Sequence, residues 1–329
     1  MRLSYHWLER AAVLYIYFPL LLFVGGWLRG SIAIPLLGTF ACVFYKRYFK
    51  NRSKQENDIV IGKSVALLVL AGIVVWLTAS GIGGFCKQSG DWHKHNAILH
   101  DLINYNWPVQ YSLPEGGRGL LSYYIVSYLF PALVGKVSGF RWAEFAMLFQ
   151  SIVGVCIVWL YLCHFLKMEL GNNRKQLFLF GLLIVFGGAV LAGKMVYGYF
   201  QPEDVSDSFH WFSNQIRIQY SGHIVLMRWV FPQTIVPWLA VMLFLENPDK
   251  IEDFVWIGLP VFMYSCFAFT GLLPLYIGMA VYRFIKEKND RGGYSGRHFP
   301  YKICMPYLEY CPSLLCILEK MCFRKNRIC

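Results

Sequence analysis

Eight long apolar segments, separated by short polar stretches, constrain this chain more than any other feature of its sequence. A membrane-spanning helix needs about 20 predominantly apolar residues. Only 15% of the residues are charged, against about 25% in soluble domains. We therefore expect an all-α fold, a polytopic transmembrane helical bundle of seven or eight crossings with interfacial amphipathic helices in its outer loops. The apolar segments are 11–28, 31–45, 60–85, 120–137, 142–166, 177–192, 234–245 and 254–285.

The positive charge of the chain lies in loops and in its last part. Basic clusters occur at 46–54, 167–175 and 283–297, and the formal net charge is +12. The positive-inside rule places all three clusters on the cytoplasmic side, together with the N-terminus and the C-terminal tail. A nucleic-acid partner would require a contiguous basic face, so none is expected. The predicted location is the cell (inner) membrane, the lipid bilayer is a predicted partner, and the oligomeric state stays open.

This sidedness decides how the segment 120–137 is interpreted. A full crossing there would place the basic cluster at 167–175 outside the cell. We therefore expect 120–137 to lie along the outer interface or to re-enter the membrane. Its residues Tyr123, Tyr124 and Tyr128 suit an interface, since their rings are amphipathic.

The chain divides into three predicted parts. The last apolar run, 254–285, contains Pro274, and we expect it to form two short crossings broken near that proline. The parts are two leading transmembrane helices with a basic cytoplasmic loop at 1–58, a membrane module at 59–285 with outer loops at 86–141 and 195–231, and a basic, Cys-rich cytoplasmic tail at 286–329.

The first outer loop contains the best candidate for a catalytic residue. The sequence after Asp91 predicts a short amphipathic helix on the membrane surface, with Asp91 as its N-cap. Ile98, Leu99 and Leu102 would share one face of this helix. Two interpretations of Asp91 have about equal weight: a helix cap alone, or a carboxylate at the membrane surface that acts as general base toward an acceptor hydroxyl or amide.

The histidines of this helix raise the question of a divalent metal. His93, His95 and His100, with Asp91, are suitable ligand types for zinc or manganese. Residues two apart on a helix point in different directions, so His93 and His95 make a poor ligand pair. We assign no metal ligand and no certain cofactor, and a divalent metal stays open as the alternative.

The second outer loop offers side chains for a lipid-linked phosphate. Arginine presents a planar donor fork that matches phosphate, and aromatic residues flank the arginines of this loop. Anchoring a helix end in the headgroup region explains Arg228 and Trp229 equally well. The predicted substrate-binding residues are His93 and Lys94 of the first loop and Asp204, Asp207, Arg217 and Arg228 of the second.

Four motifs follow one another through the first outer loop: Gly90-Asp91-Trp92, Asn106-Trp107-Pro108-Val109, Leu120-Leu121-Ser122-Tyr123-Tyr124 and Phe140-Arg141-Trp142. Their order resembles the GT-C superfamily of integral membrane glycosyltransferases, over about residues 60–245. The resemblance implies transfer of a sugar from a polyprenyl-phosphate donor to an extracytoplasmic glycan, lipid or protein acceptor. The usual catalytic acid of that superfamily follows the first helix of its conserved module, and Asp91 matches this position.

Other functions fit the same sequence. An envelope polysaccharide protein of the polymerase or flippase type would bind the same lipid-linked glycans and would need the outer arginines but not Asp91. The tail at 286–329 suggests a third case, a truncated and inactive product whose tail is foreign to the module. A transporter is disfavoured because the apolar segments contain few ionisable residues.

Overall fold

The computed structural model describes residues 2–50, 59–88, 90–166, 173–187, 221–246 and 254–291, and this part of the chain is mostly helical. Its α-helices are α1 (Tyr5–Trp27), α2 (Gly30–Tyr45), α3 (Lys63–Ala79), α4 (Trp92–Asn104), α5 (Val126–Ser138), α6 (Phe140–Phe165), α7 (Asn173–Val185), α8 (His223–Trp229), α9 (Ile235–Glu246), α10 (Leu259–Tyr264) and α11 (Cys266–Arg291). Short helical turns of other types are two π-helical turns at Lys46–Lys50 and Phe254–Gly258 and a 3-10 turn at Phe231–Gln233.

Two small antiparallel sheets depart from a purely helical fold. Strand β1 (Arg2–Leu3) pairs with β2 (Ile59–Val60), and β3 (Gln110–Ser112) pairs with β4 (Arg118–Leu120). The turn of the second hairpin contains two glycines with φ of 84° and 101°, a conformation that glycine adopts without a steric penalty. Strands of two or three residues carry too little periodicity to be recognised in a sequence.

Four helices in the described ranges are long and apolar enough to cross a membrane, and a bent pair of helices would make a fifth. The four are Tyr5–Trp27, Gly30–Phe49, Phe140–Phe165 and Cys266–Ile285. Exposed apolar side chains, such as Ile34, Leu67 and Phe267, lie on the outside of the bundle. Soluble proteins rarely expose so much apolar surface. These features indicate a membrane protein, while the count of seven or eight crossings stays a prediction.

Helix α6 lies at the centre of the bundle and packs against α1, α3, α5 and α9. A close approach occurs at Gly154 of α6, where a Cβ atom would lie 2.5 Å from the Tyr15 hydroxyl and 2.6 Å from Ile235 Cγ2. Glycine is therefore required where α1 and α9 meet α6. Leu8, Ala12 and Ile16 of α1 are buried in the same core. The leading helix thus packs together with the predicted membrane module.

Helix α3 is shorter than the apolar segment 60–85 from which it was predicted. It ends at Ala79, and the following turn contains Gly81, Gly83 and Gly84 with φ of 94°, 87° and 70°. A Cβ atom on Gly84 would lie 2.2 Å from the Glu144 carboxylate. The glycine turn therefore stops the helix and brings the chain close to the start of α6.

The last apolar run breaks at a different residue from the one predicted. The break falls at Ser265, which has φ −164° and ψ 109°, and Pro274 lies inside α11. The Ser265 hydroxyl accepts a hydrogen bond from the Ala268 backbone N–H at 3.1 Å. Serine is a favoured N-cap because its side chain satisfies such a donor. A cap, and not the proline, therefore decides where this helix begins.

The described parts of the first two basic clusters, 46–50 and 173–175, lie at one end of the bundle. Arg10, near the start of α1, donates to the Tyr48 carbonyl oxygen at 2.7 Å. Gln176, near the start of α7, donates to the Val60 carbonyl oxygen at 3.1 Å. Strand β1 precedes α1 and pairs with β2, which contains Val60. The end of α2 and the start of α7 are thus close to the same end of α1.

Helix α11 contains Arg283, the described start of the third basic cluster. The Cys266 thiol at the start of α11 contacts the Tyr124 hydroxyl at 3.1 Å, beside the first outer loop. Ten residues later, the Tyr276 ring packs on Phe254 with centroids 3.8 Å apart. Helix α11 therefore runs away from the outer loops before it reaches Arg283. The sidedness of the three clusters stays a prediction.

Candidate functional site

Asp91 stands directly before α4, the helix that the sequence predicted at this place. It occupies the N-cap position with φ −64° and ψ −21°, and its side chain makes no capping hydrogen bond. The interpretation of Asp91 as a cap alone therefore lacks the hydrogen bond that would define it. The carboxylate is half-buried and lies at a helix N-terminus, where the helix dipole favours negative charge.

Two hydrogen bonds join the start of α4 to the end of α8. The Trp92 indole N–H donates to the Arg228 carbonyl oxygen at 3.2 Å, and His95 Nε2 donates to the Trp229 carbonyl oxygen at 3.0 Å. The Trp92 ring also stacks on Phe231, with centroids 5.2 Å apart and planes 10° from parallel. The first outer loop and the described end of the second are therefore in direct contact.

His95 is the centre of this contact. It is 2% exposed, and its Nδ1 lies 2.5 Å from the Tyr128 hydroxyl. A carbonyl oxygen only accepts hydrogen bonds, so the proton of the neutral ring is on Nε2, and Nδ1 accepts from Tyr128. Burial lowers the pKa of His95 below its ordinary value of 6.5. The buried ring is a fixed neutral link between α4, α5 and the end of α8.

The three histidines considered as metal ligands do not converge on one point. His93 is exposed while His95 is buried with both ring nitrogens engaged, so the two point apart as predicted. His100 is exposed as well, and the nearest atoms of its ring and Asp101 are 3.7 Å apart. Within the described ranges, no group of three or more His, Cys, Asp or Glu side chains is placed to hold a metal ion.

The three tyrosines predicted at the membrane interface have different environments. Tyr128 is fully buried and in contact with His95, so its ring faces the protein interior. Tyr123 and Tyr124 are half-buried. Helix α5 follows them and has 13 residues, about 20 Å at 1.5 Å per residue. A helix of this length does not cross a hydrocarbon core of about 30 Å alone.

The predicted substrate-binding residues fall into two groups. His93, Lys94 and Arg228 are exposed, and the Lys94 ammonium lies 5.5 Å from the centre of the Tyr123 ring. Trp92 follows Asp91 in the chain and bonds the Arg228 backbone, so the structure places all of these on adjoining backbone segments. The other predicted residues, Asp204, Asp207 and Arg217, lie outside the described residues.

Side chains from three parts of the chain form hydrogen bonds with the irregular segment that follows Arg228. The Ser127 hydroxyl donates to the Pro232 carbonyl oxygen at 2.7 Å, and the Thr234 hydroxyl donates to that of Val230 at 3.0 Å. The Ser265 hydroxyl donates to the Gln233 side-chain oxygen at 3.1 Å. The chain bends here by 114° between α8 and the following helix. Within a membrane protein such a bend requires internal partners for its polar groups.

Asp101, the acidic residue within α4, has a structural role. The Tyr111 hydroxyl donates to Asp101 at 2.5 Å, which ties the β3–β4 hairpin to the helix. Burial, together with this hydrogen bond and the nearby carboxylate charge, raises the pKa of Tyr111 to about 12. Asp101 is therefore engaged, whereas the Asp91 side chain lacks even the capping bond.

Two ionisable residues of α6, Glu144 and His164, are each paired with another side chain. Glu144 is 7% exposed and accepts from Arg141 at 3.0 Å, next to the glycine turn. His164, at the other end of the helix, lies 3.0 Å from the Glu246 carboxylate. Both pairs lie near the ends of α6; the first lies within α6, and the second joins α6 to α9. This placement agrees with the low weight that the sequence assigned to a transport site at the membrane midplane.

Sequence analysis missed the linking residues Trp92 and His95, although a signal for them existed. Trp92, His95, Leu99 and Leu102 recur at intervals of three and four residues and are all buried. The stripe thus includes one histidine among apolar residues. No sequence signal identifies the carbonyl oxygens that Trp92 and His95 contact, since these lie 136 and 134 residues away.

Comparison with known proteins found no matching family model, no matching curated protein and no matching solved structure. The resemblance to GT-C glycosyltransferases therefore rests on the sequence motifs alone.

Proposed function

We propose that this protein is a membrane glycosyltransferase-like protein, which transfers a sugar from a polyprenyl-phosphate donor to an extracytoplasmic glycan, lipid or protein acceptor. The observation that carries the proposal is the contact between the two loops at Trp92, which follows Asp91, and the Arg228 backbone. A carboxylate with no capping bond precedes Trp92, and the Trp92 indole holds the backbone of an exposed arginine. A carboxylate can take the proton of an acceptor hydroxyl, and an arginine can neutralise the charge of an anionic leaving group.

In the proposed mechanism, Asp91 is the general base. Its carboxylate takes the proton of the acceptor hydroxyl while the acceptor oxygen bonds to the anomeric carbon of the donor sugar. The bond between that carbon and the phosphate oxygen breaks, and polyprenyl phosphate leaves with the electron pair. Arg228 and Lys94, both exposed on the backbone segments that Trp92 joins, neutralise the charge on the leaving phosphate.

The test measures transfer of labelled sugar from polyprenyl-phosphate donors in membranes that contain the protein. We expect Asp91→Asn to lower transfer by about 100-fold or more, the usual contribution of a general base. Glu115→Gln is the matched control, because Glu115 is an exposed carboxylate in the turn of the β3–β4 hairpin. Unchanged transfer in Asp91→Asn, with the protein inserted normally, would contradict the proposal.

Arg228→Gln provides a second arm of the same assay. It should raise the donor concentration needed for half-maximal transfer, while Arg118→Gln, an exposed arginine of β4, should not. Donor binding by the wild type that is lost in Arg228→Gln, with no transfer by the wild type itself, would favour the rival, an envelope polysaccharide protein that binds the glycan without catalysing its transfer.

A further inference from the structure

A small cavity lies at the centre of the bundle, next to the bend between α8 and α9. It has about 20 Å³ of room for the centre of a water molecule. A volume of about 10–15 Å³ on this measure is enough for one water. Its polar lining comes from Tyr15 of α1, Ser127 of α5, and Gln150 and Ser151 of α6. The cavity therefore has the size and the polar surroundings that a single buried water requires.

The cavity presents hydrogen-bond acceptors. The Ser127 hydroxyl donates its proton to the Pro232 carbonyl oxygen at 2.7 Å, and the Ser151 hydroxyl donates to that of Met147 at 2.9 Å. A hydroxyl has one proton and two lone pairs, so both serines have only acceptor capacity left. The side-chain oxygen of Gln150 is buried, and no group in the described part of the chain donates to it.

The lack of charged residues in the lining decides between a metal cation and a neutral molecule as the ligand of the cavity. All residues that line the cavity are uncharged. A metal cation there would have no counter-charge, and burial of an unpaired charge is strongly unfavourable. A neutral molecule with two protons satisfies the acceptors without this penalty. We propose that the cavity binds one ordered water molecule, which donates to the Gln150 side-chain oxygen and to one of the two serine hydroxyls.

This water has a structural place that does not depend on the proposed activity. Ser127 also holds the Pro232 carbonyl oxygen, and Phe231 and Pro232 form one wall of the cavity. These residues lie shortly after Arg228, at the bend between α8 and α9. The water would connect α6 with α5, whose Ser127 supports the bend. Internal water of this kind satisfies polar groups that the fold leaves buried.

X-ray radiolytic footprinting of the detergent-solubilised full chain tests the proposal, because radicals formed from a bound water oxidise the side chains around it. Met147 lines the cavity and is 2% exposed, whereas Met227 is 0% exposed and lies elsewhere. We expect several-fold faster oxidation of Met147 than of Met227, insensitive to a radical scavenger in the bulk solvent. Equal rates for the two methionines would overturn the proposal.

Gln150→Leu removes the unpaired acceptor and gives a second readout. With a bound water, this variant should slow the oxidation of Met147 and lower the melting temperature. In a dry cavity it would raise the melting temperature, since a buried unsatisfied acceptor is removed. An increase would therefore overturn the proposal even if the footprint were ambiguous. Dependence of Met147 oxidation on sodium, compared with choline, would show a cation in place of water and would also overturn it.

Discussion

His95 shows how a single residue can join separate parts of the chain. It is buried on α4, accepts from the Tyr128 hydroxyl and donates to the Trp229 carbonyl oxygen. Both hydrogen bonds require the neutral ring with its proton on Nε2, because a protonated ring has no acceptor. The role of His95 at the candidate site is therefore positioning, while Asp91 is the residue that would touch the substrate.

The lowered pKa of His95 predicts a pH dependence of stability. The unfolded chain, with an ordinary histidine pKa, binds this proton more readily than the folded chain does. The contribution of His95 is therefore complete above about pH 6.5 and is lost as the pH falls toward the folded-state value. We expect the melting temperature to decrease less on acidification in His95→Gln than in the wild type, since glutamine keeps a donor and an acceptor but does not titrate.

His93→Gln is the control for this measurement, because His93 is exposed on the same helix. Melting curves at about pH 7.5 and about pH 5.5 bracket the ordinary histidine pKa. Identical pH dependence in the wild type and in His95→Gln would show that the buried ring is not responsible.

Helix α4 is the element that organises the candidate site. One face carries Trp92, His95, Leu99 and Leu102 into the core, and the opposite face presents His93 and Lys94 to solvent. The buried face sets the position of the helix, and the exposed face remains available for a ligand. The glycine turn after α3 places its start, since a Cβ atom on Gly81 would lie 3.1 Å from the Trp92 indole nitrogen.

The hydrogen bond from the Trp92 indole can be tested at the level of this element. Trp92→Phe keeps an aromatic ring against Phe231 but leaves the Arg228 carbonyl oxygen without its donor. We expect a loss of about 1 kcal/mol in the free energy of unfolding. Hydrogen exchange of the backbone amides at 225–231 should become faster, which mass spectrometry of peptides from α8 would measure.

Trp142→Phe is the matched control, because Trp142 is 57% exposed on α6. It should leave both the unfolding free energy and the exchange of α8 nearly unchanged. Normal exchange at 225–231 in Trp92→Phe would mean that the stacked ring, and not the indole hydrogen bond, holds the two loops together.

At the level of the whole molecule, the described parts of the first two basic clusters and the candidate site lie in different places in the bundle. The basic ends of α2 and α7 lie with the start of α1, whereas Asp91 and Arg228 lie where the outer loops meet. The positive-inside rule predicts that this basic end of the protein lies in the cytoplasm. The candidate site would then face the outside, where polyprenyl-linked sugars meet extracytoplasmic acceptors in the proposed reaction.

Labelling of introduced cysteines tests this orientation. Glu115→Cys, in the exposed hairpin turn, should react with a membrane-impermeant maleimide on intact cells, while Lys175→Cys, at the start of α7, should react only after the membrane is opened. The parent chain, with its own cysteines, gives the background. The reverse pattern would show an inverted protein, and equal reactivity would contradict a membrane between the two ends.

Local patterns in the sequence were enough for several features of this protein. Apolar segments of sufficient length indicated a membrane protein, and the helix at Trp92 began where Asp91 predicted it. His93 and His95 point apart, as residues two positions apart on a helix must. Each of these conclusions depends on neighbours within a few residues, which is the range over which helix geometry and apolar length act.

Only the tertiary structure decided which groups meet. The partners of Trp92 and His95 on α8 are more than 130 residues away, and both are backbone carbonyl oxygens, which every residue possesses. The break at Ser265 similarly depends on a cap and on contact with Gln233, from a helical turn 32 residues earlier. The sequence by itself determined helices, apolar faces and charge distribution. The packing of those faces determined the candidate site and the polar cavity, because long-range contacts depend on shape and on hydrogen-bond partners that no local pattern encodes.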